Sequence, residues 1–189
     1  MPNDKKKYLI TAITLGLIAA GGALLIAGTN LITRDPIKEN EIKTINKGLA
    51  NIFDIEAAKL NSNLVQFTDL PENVKFDYVV DSYYEVNDES SARLGYALRT
   101  EGFNDYGKII LIVGFNAERV YKGVAVVENG QSFASTLNKK YLNPLIKEGK
   151  TVEEVDVSCG ATYGAKLVRE MINEATNAAK YVKEGANNG

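Results

Sequence analysis

The chain of 189 residues has no histidine, no tryptophan and one cysteine, Cys159. Without histidine there is no Cys/His metal site, no Cys-His pair and no Ser-His-Asp triad, so hydrolase chemistry that needs an imidazole base is excluded. A lone cysteine leaves no internal disulfide and no iron-sulfur ligand set. Charge of one sign is also missing: 22 basic against 24 acidic side chains give a formal net charge of -2. With no basic, aromatic-interleaved stripe, nucleic acid is not an expected partner. Four prolines and no long low-complexity segment leave room for one well-packed core, which 45% hydrophobic residues can fill.

Charge is absent in one further place. After Lys5, Lys6 and Lys7, no charged residue occurs across 8–33. As a helix this run would rise roughly 36 to 39 Å at about 1.5 Å per residue, enough for a hydrocarbon core of about 30 Å. It is expected to be a transmembrane helix. A cleaved signal peptide would have a shorter apolar stretch and an Ala-x-Ala-like exit, and a lipoprotein signal would need a cysteine near that exit. The three lysines on the amino side place 1–7 in the cytoplasm as a short tail, and the rest of the chain outside. Glycines 16, 21, 22 and 28, with neighbouring alanines, would suit packing against other transmembrane helices.

Asp35 and Pro36 read as a break, followed by Ile37, Ile42, Ile45, Leu49, Ile52 and Phe53 at helical spacing. Residues 34–60 are expected to form a juxtamembrane amphipathic helix and linker. From 61 to 77 the pattern breaks down around Pro71 and reads as a loop with a short strand. Strands are expected at 78–86, 92–100, 108–115 and 119–128, the third apolar enough to be covered on both faces. A helix over 132–147 with Phe133, Leu137, Tyr141 and Leu145 at four-residue spacing, a short strand at 151–155 and a last helix from Ala165 to about 183 complete the reading. The fold class is α+β: an antiparallel sheet packed by helices over 61–183, with a disordered tail at 184–189.

One stretch carries the chemistry. Asp156, Ser158, Cys159, Gly160, Ala161 and Thr162 are followed by Tyr163 and Gly164 and then by the last helical pattern. A hydroxyl on small-residue backbone near a helix start sits where free N–H groups and the helix dipole favour a phosphate. A threonine that merely caps the helix would read the same way. Here Asp156, Ser158, Gly160, Ala161 and Thr162 resemble the flavinylation motif of the FMN-binding domain family, position by position. The family often adds a second Thr or Ser and then a Ser, where this chain has Gly164 and Ala165.

A second likeness is independent of the first. Residues 15–52, above all 27–37, are similar to the start of the G-type component of the Rnf-type ion-translocating ferredoxin:NAD oxidoreductase, in which an Asn-x-x-Thr element ends the span. Gly102 and Phe103, Tyr106 to Ile109, Val113 to Phe115 and Lys122 to Val124 continue the family resemblance. At 129–136 the family's His-x-Glu-Thr-Pro-Gly-Leu-Gly is replaced, and only Ser132 keeps its chemistry; Gln131 and Ser132 also read as a helix cap.

The resemblance implies FMN esterified through its phosphate to Thr162, with Ser158, Gly160, Ala161, Tyr163 and Ser132 around it and no metal. It implies as partners the other membrane subunits of an Rnf-type complex and a Mg-dependent FAD:protein FMN transferase that attaches the flavin. The complex would move electrons between ferredoxin and NAD and translocate Na+ or H+. Two other readings stay open: a free-standing extracytoplasmic flavoprotein, and a flavin-free assembly subunit. The C-type component of the sodium-translocating NADH:quinone oxidoreductase is a related but usually longer chain.

Overall fold

The computed structural model describes residues 2–68, 70–71 and 74–182, with the side chains of 2–6 and 24–38 outside the description. The tail expected at 184–189 lies outside the described residues. The chain divides into two compact units, Met1–Ile42 and Lys43–Gly189.

The first unit is helical and belongs to α1, Pro2–Phe53. The expected break at Asp35 and Pro36 is absent, because α1 runs through both. An interior proline removes one hydrogen bond and strains the preceding turn, and a helix with strong sequence on either side can absorb that loss as a local perturbation. Among the described residues no helix is long and apolar enough to cross a membrane.

The second unit is built on a five-stranded antiparallel meander in the order β1 to β5. Its strands are β1 (Asn61–Gln66), β2 (Val79–Asn87), β3 (Arg93–Asn104), β4 (Gly107–Asn116) and β5 (Tyr121–Asn129). Side chains alternate across such a sheet. On one face Tyr96, Leu98, Ile109, Leu111, Val113 and Phe115 join the larger core beneath the later helices. On the other, Val86, Ala97, Ile112 and Ala125 pack with Ile45, Leu49, Ile52 and Phe53 of α1. The apolar spacing read in the sequence over 45–53 therefore closes the back of the sheet. Strand β4, buried from Ile109 to Phe115, is covered on both sides as its unbroken Ile, Leu and Val run predicts.

The expected helix over 132–147 is present as three consecutive turns of different pitch: α2 (Ala134–Leu137), a π turn (Asn138–Leu142) and α3 (Asn143–Lys147). Pro144 falls at the start of α3, where its missing N–H costs least. Leu137, Tyr141 and Leu145 all join the core, as their four-residue spacing predicts.

The strand expected at 151–155 does not form. The Glu154 carboxylate accepts hydrogen bonds from the Thr151 N–H (2.7 Å) and hydroxyl (3.1 Å), closing a turn. The carbonyls of Val152 and Val155, which a strand would offer to a neighbour, accept instead from one guanidinium nitrogen of Arg169, each at 2.8 Å. The last helix, α4 (Thr162–Ala178), begins three residues earlier than expected and ends in a 3-10 turn, Ala179–Tyr181. Its buried stripe, Leu167, Val168, Met171, Ile172 and Ala175, lies on the sheet. Each larger side chain there contributes about 1.5 to 3 kcal/mol on full burial. Glu174 ties the helix to the start of β2 by accepting the N–H groups of Asp77, Tyr78 and Val79 at 3.0, 2.8 and 2.8 Å.

Candidate functional site

The site lies at the amino end of α4. The loop that leads into it turns at Ser158, whose N–H donates to Asp156 Oδ1 at 2.9 Å. It turns again at Gly160, with φ of +86°, a left-handed conformation that a Cβ would strain by about 1 to 2 kcal/mol. Ala161 follows as a buried N-cap without a side-chain hydrogen bond, and Thr162 is the first helical residue. Thr162 is therefore inside the helix and not, as the sequence suggests, in the loop before it.

That shift of the helix start changes which amides are open. The Ala165 N–H is bonded to the Ala161 carbonyl at 2.9 Å. The groups left free at the helix start are then those of Thr162, Tyr163 and Gly164. The Thr162 hydroxyl is half-buried and makes no hydrogen bond among the described residues. It caps nothing, so a purely helix-capping role for this threonine is not what the structure builds.

A cavity of about 230 Å³ opens beside it, lined by Gly160, Ala161, Thr162, Tyr163 and Gly164 from the helix start, and by Tyr106, Gln131, Phe133 and Leu137 from across the gap. Of the residues singled out in the sequence, Thr162, Gly160, Ala161 and Tyr163 meet at this cavity. Ser158 and Ser132 do not line it. Ser158 is exposed, and Ser132 is turned to the Tyr106 carbonyl, which receives both its N–H (2.8 Å) and its hydroxyl (3.2 Å).

The far wall was not legible in the sequence. Tyr106 sits in the two-residue turn between β3 and β4, and its ring stacks on Tyr163 with centroids 5.3 Å apart and planes 18° from parallel. Phe133 leans on Tyr106 at 6.1 Å. Gln131 is buried and does not cap the next helix, which starts at Ala134 with no side-chain cap. Its side-chain amide donates to Asn104 Oδ1 at 3.0 Å and to the Gly107 carbonyl, clamping that turn.

Gly164, where the flavinylation motif usually has a hydroxyl residue, has a local reason. A Cβ there would come within 2.9 Å of Leu137 Cδ2 and 3.1 Å of Gln131 Oε1. The altered loop and the missing side chain are thus neighbours in space. Gln131 occupies the room that a side chain at 164 would need.

Chemically, the cavity offers one aliphatic hydroxyl, three open N–H groups and an aromatic wall that includes the phenols of Tyr106 and Tyr163. Its lining holds no carboxylate, amine or imidazole, so nothing there can take the proton from Thr162 Oγ1. Behind the loop, burial raises the Tyr141 hydroxyl above its ordinary value, and burial with the neighbouring Tyr141 and Glu153 pushes Tyr121 up to about 12. Both phenols stay neutral and serve as packing. No group of three or more metal-ligating side chains exists among the described residues.

Compared with known families, residues 1–52 match the model of the RnfG N-terminal region. The matched stretch ends within α1 and contains none of the cavity residues. No curated protein matches the chain.

Proposed function

We propose, from the match of residues 1–52 to the RnfG N-terminal region, that the chain is a membrane-anchored electron-transfer subunit of an Rnf-type oxidoreductase complex, bearing FMN on Thr162. The observation that carries the reading is the unpartnered Thr162 hydroxyl, set in the first turn of a 17-residue helix and facing a cavity beside three open amides.

The residues present fit a phosphate-linked flavin. Thr162 Oγ1 would form the new O–P bond to the FMN phosphorus of FAD while the pyrophosphate P–O bond breaks and AMP leaves. Since the cavity holds no base, the hydroxyl proton passes to the separate Mg-dependent transferase. The N–H groups of Thr162, Tyr163 and Gly164 offset the phosphate charge by about 0.3 to 1 kcal/mol through the helix terminus. Gly160 and Ala161 leave the hydroxyl open to the transferase. Tyr106, Phe133, Leu137 and Tyr163 form an apolar wall that excludes water from one side. A flavin held there supplies one- and two-electron redox chemistry. The cavity, at about 230 Å³, is below the roughly 300 to 1,000 Å³ that encloses a drug-sized ligand. Part of the ring system would stay reachable, as an electron carrier requires.

The anchor is proposed from the charge-free run 8–33, and the cytoplasmic amino terminus from Lys5, Lys6 and Lys7. The flavin domain would then lie outside, beside membrane subunits that hold the remaining cofactors and couple electron flow to Na+ or H+.

Mass spectrometry of the peptide containing Thr162, from full-length protein made with the transferase, tests the assignment. An increment of FMN less water on Thr162 is expected. An unmodified peptide, or flavin retained covalently by Thr162→Ala, rejects it.

A further inference from the structure

Strand β5 is the last of the sheet and is hydrogen-bonded to β4 alone. Among the described residues no other hydrogen bond reaches the backbone at 121–128. In an antiparallel strand alternate residues aim N–H and C=O away from the single neighbour; along 123–126 these are Val124, which is buried, and Val126, which is partly exposed, and on that side neither has a strand partner among the described residues. Shifts of register near Lys122 and Val127 bracket a regular stretch at 123–126.

Against that stretch lies a groove of about 390 Å³, between residues 44–52 of α1 and the α3 segment. Its floor is apolar, with Ile52, Leu145 and Ile146, and no aspartate or glutamate lines it. Lys47, Lys122 and Lys147 reach it from three different elements. None of the three forms an ion pair or hydrogen bond among the described residues. One lysine on an edge strand is a common device against unwanted pairing. Three that converge on one cavity, from a helix, a strand and a turn, instead select for negative charge.

We propose that this groove receives an extended, carboxylate-bearing segment of another polypeptide. The segment adds to the free edge of β5 as a sixth strand, and its acidic side chains meet Lys47, Lys122 and Lys147. An added strand uses all three features at once: main-chain bonds to the unpaired edge, alternate side chains on the apolar floor, and carboxylates on the lysines. A helix would leave the backbone row unused, and a small anion would leave the floor unused.

The test compares the full-length chain in its native membranes with the same chain purified in detergent. Amide exchange at 123–126 is expected to be slower in the membranes by about tenfold or more. Zero-length carbodiimide treatment should join the three lysines to Asp or Glu of a second polypeptide. Lys47→Glu with Lys122→Glu and Lys147→Glu should abolish both effects while flavin content and thermal midpoint stay unchanged; the milder Lys122→Gln, Lys147→Gln pair should weaken both. Equal exchange in the two settings overturns the inference, as does protection that survives the triple reversal. Protection reproduced on the purified chain by inorganic phosphate or by anionic-lipid vesicles also overturns it. The result is separable from the flavin assignment, because Thr162→Ala should show the same protection.

Discussion

Tyr106 and Tyr163 stack at 5.3 Å across the mouth of the cavity, one from the β3–β4 turn and the other from the first turn of α4. Tyr163 is 64% exposed, so the pair closes the site without belonging to the core. Such a pair is worth about 0.5 to 1.5 kcal/mol. Tyr106→Ala should therefore lower the thermal midpoint by only a few degrees. In flavinylated protein, loss of a stacking phenol should raise flavin fluorescence; an unchanged yield would place the ring away from this wall.

Replacing Thr162 separates chemistry from stability. Because its hydroxyl has no partner and alanine is the better helix former, Thr162→Ala should change unfolding free energy by less than about 0.5 kcal/mol. It should nevertheless abolish covalent flavin. Thr162→Ser keeps a hydroxyl in the same place and should retain modification, checked by in-gel fluorescence and urea titration of each variant.

Gln131 and Gly164 should behave as a coupled pair. Gln131→Ala removes one donor from the Gly107 carbonyl and one of two from Asn104 Oδ1, which keeps the Tyr106 N–H at 3.0 Å, at a cost of about 0.5 to 1.5 kcal/mol. Gly164→Ser forces a side chain against Leu137 and Gln131 and should cost about 1 to 3 kcal/mol alone. With Gln131→Ala already present the added cost of Gly164→Ser should shrink, and a double-mutant cycle in urea with no coupling would contradict the contact.

Glu174 fastens α4 to β2 through three N–H groups. Glu174→Ala should destabilise by about 1 to 3 kcal/mol, since donors at Tyr78 and Val79 are left part-buried and unpaired. Glu174→Gln, which retains one acceptor oxygen, should lose less. Amide exchange at Tyr78 and Val79 reports the same order.

Acid should unfold the domain through a small set of carboxylates. The Lys108 hydrogen bond, against opposing burial and aided by Arg99, holds Glu101 below its ordinary value of 4.5. The Ser90 hydroxyl and the Ala92 and Ser90 amides lower Asp88 from 3.8, and the Thr151 amide and hydroxyl lower Glu154 from 4.5. A carboxyl depressed in the fold adds stability that is complete above its unfolded value and is lost as pH falls through the folded one. Urea midpoints should stay level from pH 7 to near 4.5 and fall below it. Glu101→Gln should start lower and fall less steeply.

Strands β2 to β5 were readable because each buries one or both faces, and β4 needed only its apolar run. The strand at 151–155 misled because Glu154 and Arg169 take its polar groups, the second from the middle of α4. The start of α4 misled because its first turn carries no capping side chain. Gln131 looked like a cap by sequence position, while its partners, Asn104 and Gly107, come from a turn more than twenty residues away.

By itself the sequence determined the chemical inventory: a threonine next to small residues, no imidazole to activate it, a charge-free amino-terminal run, and periodicities that set most elements. These are local properties, written within a few residues of one another. The tertiary structure alone decided which amides stay open at α4, that Tyr106, Gln131, Phe133 and Leu137 complete the wall opposite Thr162, and that three lysines from distant elements face one unpaired strand edge. Those relations join positions that only sheet pairing and helix packing bring together, and no pattern of spacing along the chain encodes them.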